Sequence, residues 1–277
     1  MTTSARIGCS GWTYDDWRGA FYPETVRLKD RLAYYASVFD TTEINGSFYR
    51  LPSEKAVKAW ADQAPKGFLF SWKVSRFITH NKKLKDCQDS VDLVFGRMAP
   101  LGDKGGPALV QLPPMLHRDD ERLKRFLSWL PERQSVTVEF RHASWYEAPV
   151  LDLLRDHGAA LCISDHHDAP SPWEVTADFA YVRGHGPGGH YHGRYSQAEL
   201  KRWADWIKAR REAGVAVFSY FDNDVKSAAP RDARLLIEQV APAPGSHPAP
   251  TVEAITPQVN VGARSAARLQ ARLRRCS

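Results

Sequence analysis

The sequence has little cysteine, no long apolar run and none of the short signatures that mark the common hydrolytic or nucleotide sites, and each shortage removes a class of protein. Four cysteines in 277 residues, Cys9, Cys87, Cys162 and Cys276, stand far apart without C-x-x-C spacing. They are too sparse for a disulfide scaffold and predict reduced thiols. Cys9 and Cys162 fall inside apolar strand patterns, where cysteine acts as a small hydrophobe. No stretch approaches the roughly 20 apolar residues that cross a bilayer, and the strand-like Ile7 comes too early to leave room for a signal peptide, so a cytoplasmic chain is expected. There is no H-E-x-x-H, no G-x-S-x-G elbow, and no G-K-[ST] behind the glycine-rich segment 186–193, which disfavours Walker-type ATP hydrolysis.

Excess charge is modest as well. The net charge is +6, but from Ala241 onward Arg264, Arg268, Arg272, Arg274 and Arg275 oppose only Glu253, so most of the excess lies in the last residues and the body is mildly basic. Such a balance does not announce nucleic-acid binding, which needs a concentrated patch.

What is present is alternation. Apolar runs at 6–9, 41–48, 69–74, 108–112, 136–140, 160–164, 179–183 and 215–221 read as eight strands. Amphipathic stretches follow at 28–39, 53–64, 81–98, 119–130, 148–157, 197–212 and 226–240, with a proline-rich turn after the sixth strand. Ser196 with Glu199 reads as a capping box. A chain of this length, 43% hydrophobic, suits one closed (β/α)8 TIM barrel over residues 1–241; a doubly wound open sheet is the alternative. Residues 242–277 read as a proline-rich linker and a basic tail, helical or disordered, open to nucleic acid or a protein partner.

Active sites of such barrels lie at the carboxyl ends of the strands. Polar residues cluster there: Trp12 after the first strand; Glu43, Asn45 and Tyr49; Lys73 and His80; Gln111; Glu139, Arg141 and Trp145; Asp165; Arg183, His185 and Tyr195; and Asn223. Strand alternation puts Glu43 with Asn45 and Glu139 with Arg141 on shared faces. Arg50, Lys73, Arg76, Arg141 and Arg183 outnumber Glu43, Glu139 and Asp165, so the mouth should attract an anion, phosphate or carboxylate. A structural ion-pair lattice plugging the barrel is the plain alternative. Glu43, Glu139, Asp165 and His185 are the candidate catalytic residues, by acid–base work or as divalent-metal ligands; the others named at the strand ends are candidate substrate-binding residues.

As a set, these motifs resemble the YecE-like family of bacterial and archaeal proteins known as DUF72. The likeness rests on Gly8 with Ser10-Gly11-Trp12, Trp17, Phe21-Tyr22-Pro23-Glu24, Glu43-Ile44-Asn45 with Phe48-Tyr49, Phe70 with Lys73, and Ile78-Thr79-His80. It continues through Gln111-Leu112-Pro113-Pro114, Glu139-Phe140-Arg141-His142 with Trp145, Tyr181-Val182-Arg183 with His185-Gly186, Tyr195-Ser196, and Phe221 with Asn223-Asp224. Departures are Asp222, where asparagine is expected, and Gly184, where an apolar residue is usual. The resemblance implies a TIM barrel over about residues 7–240 and hands over no activity; its likeness in architecture to apurinic endonucleases and sugar isomerases is analogy. The leading expectation is an enzyme acting on a phosphate-bearing or other anionic substrate, phosphodiester or nucleic-acid hydrolysis included. The alternatives are a non-catalytic anion-binding or scaffold protein and a metal-free isomerase or lyase on a sugar acid. A monomer or weak dimer is expected.

Overall fold

The computed structural model describes residues 4–241; the proposed linker and tail, Cys276 included, lie outside the described residues. Eight parallel strands are present: β1 Ala5–Cys9, β2 Thr41–Ile44, β3 Leu69–Lys73, β4 Gly105–Gln111, β5 Val136–Glu139, β6 Ala160–Ser164, β7 Phe179–Gly184 and β8 Ala216–Phe221. Their spatial order, β1-β8-β7-β6-β5-β4-β3-β2, is that of a (β/α)8 barrel. Helices pack outside: α1 Arg31–Ala36, α2 Gly46–Tyr49, α3 Glu54–Gln63, α4 Gln88–Met98, α5 Asp120–Leu127, α6 Ala148–Asp156, α7 Gln197–Glu212 and α8 Ala228–Val240. None of the described helices is long and apolar enough to cross a membrane.

Two local expectations change, and a third, the helix-free turn after the sixth strand, holds. The run 41–48 is a strand only to Ile44; Asn45-Gly46 turns the chain into the single helical turn α2. In 81–98 the helix waits until Gln88, because Lys83, Leu84 and Asp86 hold positive φ. Between β6 and β7 the chain runs without a helix. At α7 the capping box forms as read, Ser196 accepting from the Glu199 amide and the Glu199 carboxylate accepting from the Ser196 amide.

The seam between β1 and β2 closes differently from the rest. A single bridge pairs Ser10 with Glu43. Below it the Tyr35 hydroxyl from α1 stands between the strands, accepting from the Cys9 amide at 2.7 Å and donating to Thr41 O at 3.1 Å. Gly8 makes room: a Cβ there would collide with Thr41 O and the Tyr35 hydroxyl.

The main core lies between strands and helices and includes the fully buried Trp17, Trp72 and Trp145, each worth roughly 2–3 kcal/mol of apolar burial. A second cluster, Leu109, Ala160, Cys162, Phe179, Tyr181 and Tyr220, fills the barrel interior. Because side chains alternate along a strand, the residues two further on, Gln111, Ser164, Arg183 and Asp222, form the layer above it. Hydroxyls mark the transition. Tyr220 joins Thr41 at 2.7 Å and Ser71 at 2.9 Å, and Tyr181 donates to Glu43 at 2.6 Å. The interior thus grades from apolar to charged toward the carboxyl ends of the strands.

Candidate functional site

Arg183, fully buried, is the centre of the charged layer. Its Nε and Nη2 bind the Glu43 carboxylate at 3.1 and 2.8 Å, Nη1 reaches Glu139 at 3.0 Å, and Nη2 reaches Asp222 at 2.8 Å. Ser10 donates to the same Glu43 carboxylate. The Glu139 carboxylate is also 2.5 Å from Arg141. Burial raises the Glu139 pKa, but Arg141, Arg183 and Lys73 outweigh it and hold the group at about 2. Burial lifts Asp222 above the usual carboxylate range despite Arg183.

His185 stands above this layer, with no exposed surface. Its Nε2 lies 3.0 Å from Arg183 Nη1 and 3.2 Å from Arg141 Nη2. Guanidinium groups only donate, so Nε2 accepts and the ring proton sits on Nδ1, 3.2 Å from Asp165 Oδ1. Burial, with Arg183 and Arg141, lowers the histidine pKa well below its ordinary value although Asp165 opposes this. His185 is therefore a neutral imidazole with its basic nitrogen occupied. Tyr195 donates to the other oxygen of Asp165 and accepts from the Gly186 amide at 2.8 Å. Gly184 admits this arrangement, since a Cβ there would lie 2.8 Å from Trp203 and 2.9 Å from the Tyr195 hydroxyl. Asp165 also lines a cleft of about 410 Å³ with Trp173, Trp203 and Trp206.

The glycine-rich segment after β7 roofs this centre through Tyr191. Its backbone is left-handed at φ 65°, a strained setting for a tyrosine. The ring packs edge-on against His185 at 5.0 Å, and its hydroxyl accepts from Arg141 at 2.9 Å.

Over β3 to β5 the polar groups are differently placed. Lys73 and Gln111 are only 6% and 8% exposed, yet neither side chain makes an ion pair or a hydrogen bond among the described residues. The Lys73 ammonium rests 4.2 Å from the centre of the Phe48 ring. Burial, then Arg183, lowers its pKa to about 8. His80, edge-on to Phe48 at 4.9 Å, is lowered to about 4 by burial and by Lys73, Arg76 and Arg141. The potential on this side is thus positive. After β8, burial, then Asp222, raises Asp224 to about 8. Asp224 Oδ1 and Asn45 Oδ1 are buried without partners.

These features coincide with a family match. The profile described as "Protein of unknown function DUF72" covers residues 6–254. The chain belongs to the DUF72 family. UPF0759 protein YecE of Escherichia coli (strain K12) is 32% identical over 142 residues, 50% of this chain and 49% of that protein. The chain spans about half the length of the curated relatives it matches. A DUF72 family protein from Thermotoga maritima MSB8 superposes with a TM-score of 0.77 at 27% identity, covering 85% of this chain and 98% of the other. One from Enterococcus faecalis V583 gives 0.73 at 19% identity, covering 86% and 95%, a likeness of fold.

Within this DUF72 barrel, Glu43, Lys73, Gln111, Glu139, Arg141, Asp165, Arg183, His185 and Tyr195 converge on the charged layer and the mouth, with Asn45 and His80 beside them. The remaining expected residues stand apart. Trp12 packs on Trp60 and Phe70, and Trp145 stacks on Phe140 with its indole donating to Leu116 O at 2.7 Å. Asn223 braces the glycine-rich segment after β7, donating to Gly193 O and to Asp232, while Tyr49 is 68% exposed. Arg50 and Arg76 are exposed as well. The charge excess read from the sequence is absent from the buried layer: Lys73, Arg141 and Arg183 face Glu43, Glu139, Asp165 and Asp222. Asp222, Asp224, Tyr181 and Tyr191 are the additions. For Asp222 and Tyr181 the signal was alternation, two residues after Tyr220 and two before Arg183.

The donor set does not suit a divalent metal. Glu43 and Glu139 already accept from Arg183, and His185 Nε2 accepts from both guanidinium groups. A cation among them would stand beside two fixed positive charges. On the rim, His166, His167 and Asp168 bring ligand-type atoms together, with His167 Nε2 3.1 Å from Asp168 in ion-pair geometry.

Proposed function

We propose that this DUF72 protein is an enzyme for a small anionic substrate, phosphate- or carboxylate-bearing, bound at the barrel mouth. The observation that carries this reading is the Lys73 ammonium: its residue is 6% exposed, no carboxylate lies at ion-pair distance although Glu139, Asp222 and Glu43 act on it from further off, and Lys73 and Arg141 both act on His80 as positive charges. A buried cation without a carboxylate is costly to keep, and an incoming anion offsets that cost. Arg141 and Gln111 supply donors for the anion. Asp224 follows β8, and burial with Asp222 raises its carboxyl pKa to about 8, which makes it the candidate proton donor. Glu43, Glu139, Asp222 and Arg183 then act as the rigid floor that holds Arg141 and His185, and Tyr191 closes over the bound molecule. The covered mouth favours a small molecule over a nucleic-acid duplex.

Calorimetric titration with inorganic phosphate and with small phosphorylated and carboxylated metabolites tests this reading. Wild type should bind, Lys73→Met and Arg141→Ala should each lose about tenfold in affinity or more, and Tyr49→Ala should bind as wild type. Equal binding by all four proteins would sink the reading. Binding without turnover of any such compound would instead favour a non-catalytic anion-binding protein.

A further inference from the structure

We infer that Lys73 is a carbonyl-reactive lysine, which condenses with an aldehyde or ketone group on the anionic substrate to form an imine. The inference deepens the proposed reading and rests on it. An ammonium that is to become a nucleophile must shed a proton and keep its lone pair free. Lys73 meets both conditions through its surroundings. It extends from the carboxyl end of β3 across the Phe48 ring, at 4.2 Å, where no carboxylate takes it as an ion-pair partner. The groups acting on it from the surrounding elements are Arg183 on β7, Glu139 on β5, Asp222 after β8 and Glu43 on β2; His80 after β3 senses its charge.

The carboxylates that could hold Lys73 protonated are instead claimed by guanidinium groups: Glu43 and Asp222 by Arg183, and Glu139 by Arg183 and Arg141. Burial then favours the neutral amine, and the group loses its proton near pH 8. An ordinary exposed lysine does so above pH 10. Lys58 and Lys201 show the contrast, each exposed and paired with an aspartate one helical turn away, Asp62 and Asp205.

The step balances within the site. The neutral Nζ attacks the carbonyl carbon, forming a C–N bond. The carbonyl oxygen takes up a proton to give a carbinolamine, then leaves as water. Both amine protons end on that water and a C=N bond remains, with no net proton consumed and no redox partner needed. Gln111, at the end of the neighbouring strand β4, and Arg141, two residues past β5, are the donors proposed to hold the anionic end of the same molecule.

Reductive trapping decides the matter. Wild-type protein is incubated with glyoxylate, a small carboxylate-bearing aldehyde, and cyanoborohydride at pH 7, and the modified lysines are mapped by peptide mass spectrometry. Lys73 should be modified at least about tenfold faster than Lys58 or Lys201, as its larger neutral fraction requires. The rate should climb to a plateau above pH 8, and inorganic phosphate should slow it. Lys73→Arg keeps the charge without the nucleophile and should retain anion binding by calorimetry while losing the trapped adduct. If Lys73 reacts no faster than Lys58 and Lys201 while wild type still binds anions, the inference is overturned and the proposed function stands. If wild type neither binds anions nor traps at Lys73, both fall.

Discussion

Two buried cations inside the same barrel are held in opposite ways. Arg183 is met on every side: three carboxylates, a serine hydroxyl and an imidazole nitrogen receive its donors. Lys73, a few strands round the ring, rests on a phenyl face and makes no ion pair, with Glu139, Asp222 and Glu43 acting on it only from a distance. A planar fork with several donors can tie together carboxylates from β2, β5 and the residue just after β8, whereas a point charge on a flexible stem satisfies one partner at a time. The difference separates roles. A fully satisfied network fixes geometry, and an unsatisfied buried charge stores free energy that a ligand can release.

The largest effect should come from breaking the satisfied side. Arg183→Leu strands Glu43, Glu139 and Asp222 in the interior and should cost about 3–5 kcal/mol in urea-denaturation stability. A loss below about 1 kcal/mol would mean the network is looser than its geometry. The unsatisfied side should respond with the other sign. The folded-state pKa of Lys73 lies below its unfolded value, so protonation opposes the fold at pH 7, and that cost fades as pH rises from about 8 to above 10. Lys73→Met should therefore stabilise the protein by up to about 3 kcal/mol at neutral pH, with the gain gone by about pH 11. A pH-independent gain would assign the effect to packing.

Two neutral sites calibrate the comparison. Tyr35→Phe leaves the Cys9 amide and Thr41 carbonyl without their shared hydroxyl and should cost about 1–3 kcal/mol. Ser196→Ala removes an exposed cap and should cost about 1 kcal/mol by thermal melting. If Arg183→Leu fell to the level of Ser196→Ala, the contrast between the two cations would collapse.

The barrel was legible because its signal is local. Strands buried on both faces read as apolar runs, and the boundaries at Ala160–Ser164 coincide with the run itself. The run 41–48 ran on too far because Ser47 and Phe48 are as buried in a helical turn as in a strand. The helix missing after β6 matches the proline-rich turn. The members of the charged layer were legible from alternation, whereas their pairing was not. Which carboxylate meets which guanidinium depends on register around the ring, and Asp222 enters only because β8 sets it beside Arg183. Counting charges overestimated the cations because Arg50 and Arg76 are exposed to solvent.

The hydroxyl of Tyr35 carries a consequence for how the chain comes together. Elsewhere adjacent strands zip by their own amides, but at this seam the Cys9 N–H is satisfied by a side chain that arrives with α1. The native seam at β1–β2 is therefore complete only with α1 in place. In the native protein, exchange of the Cys9 amide with deuterated water should follow the swing of one tyrosine ring and run ahead of its neighbours in β7 and β8.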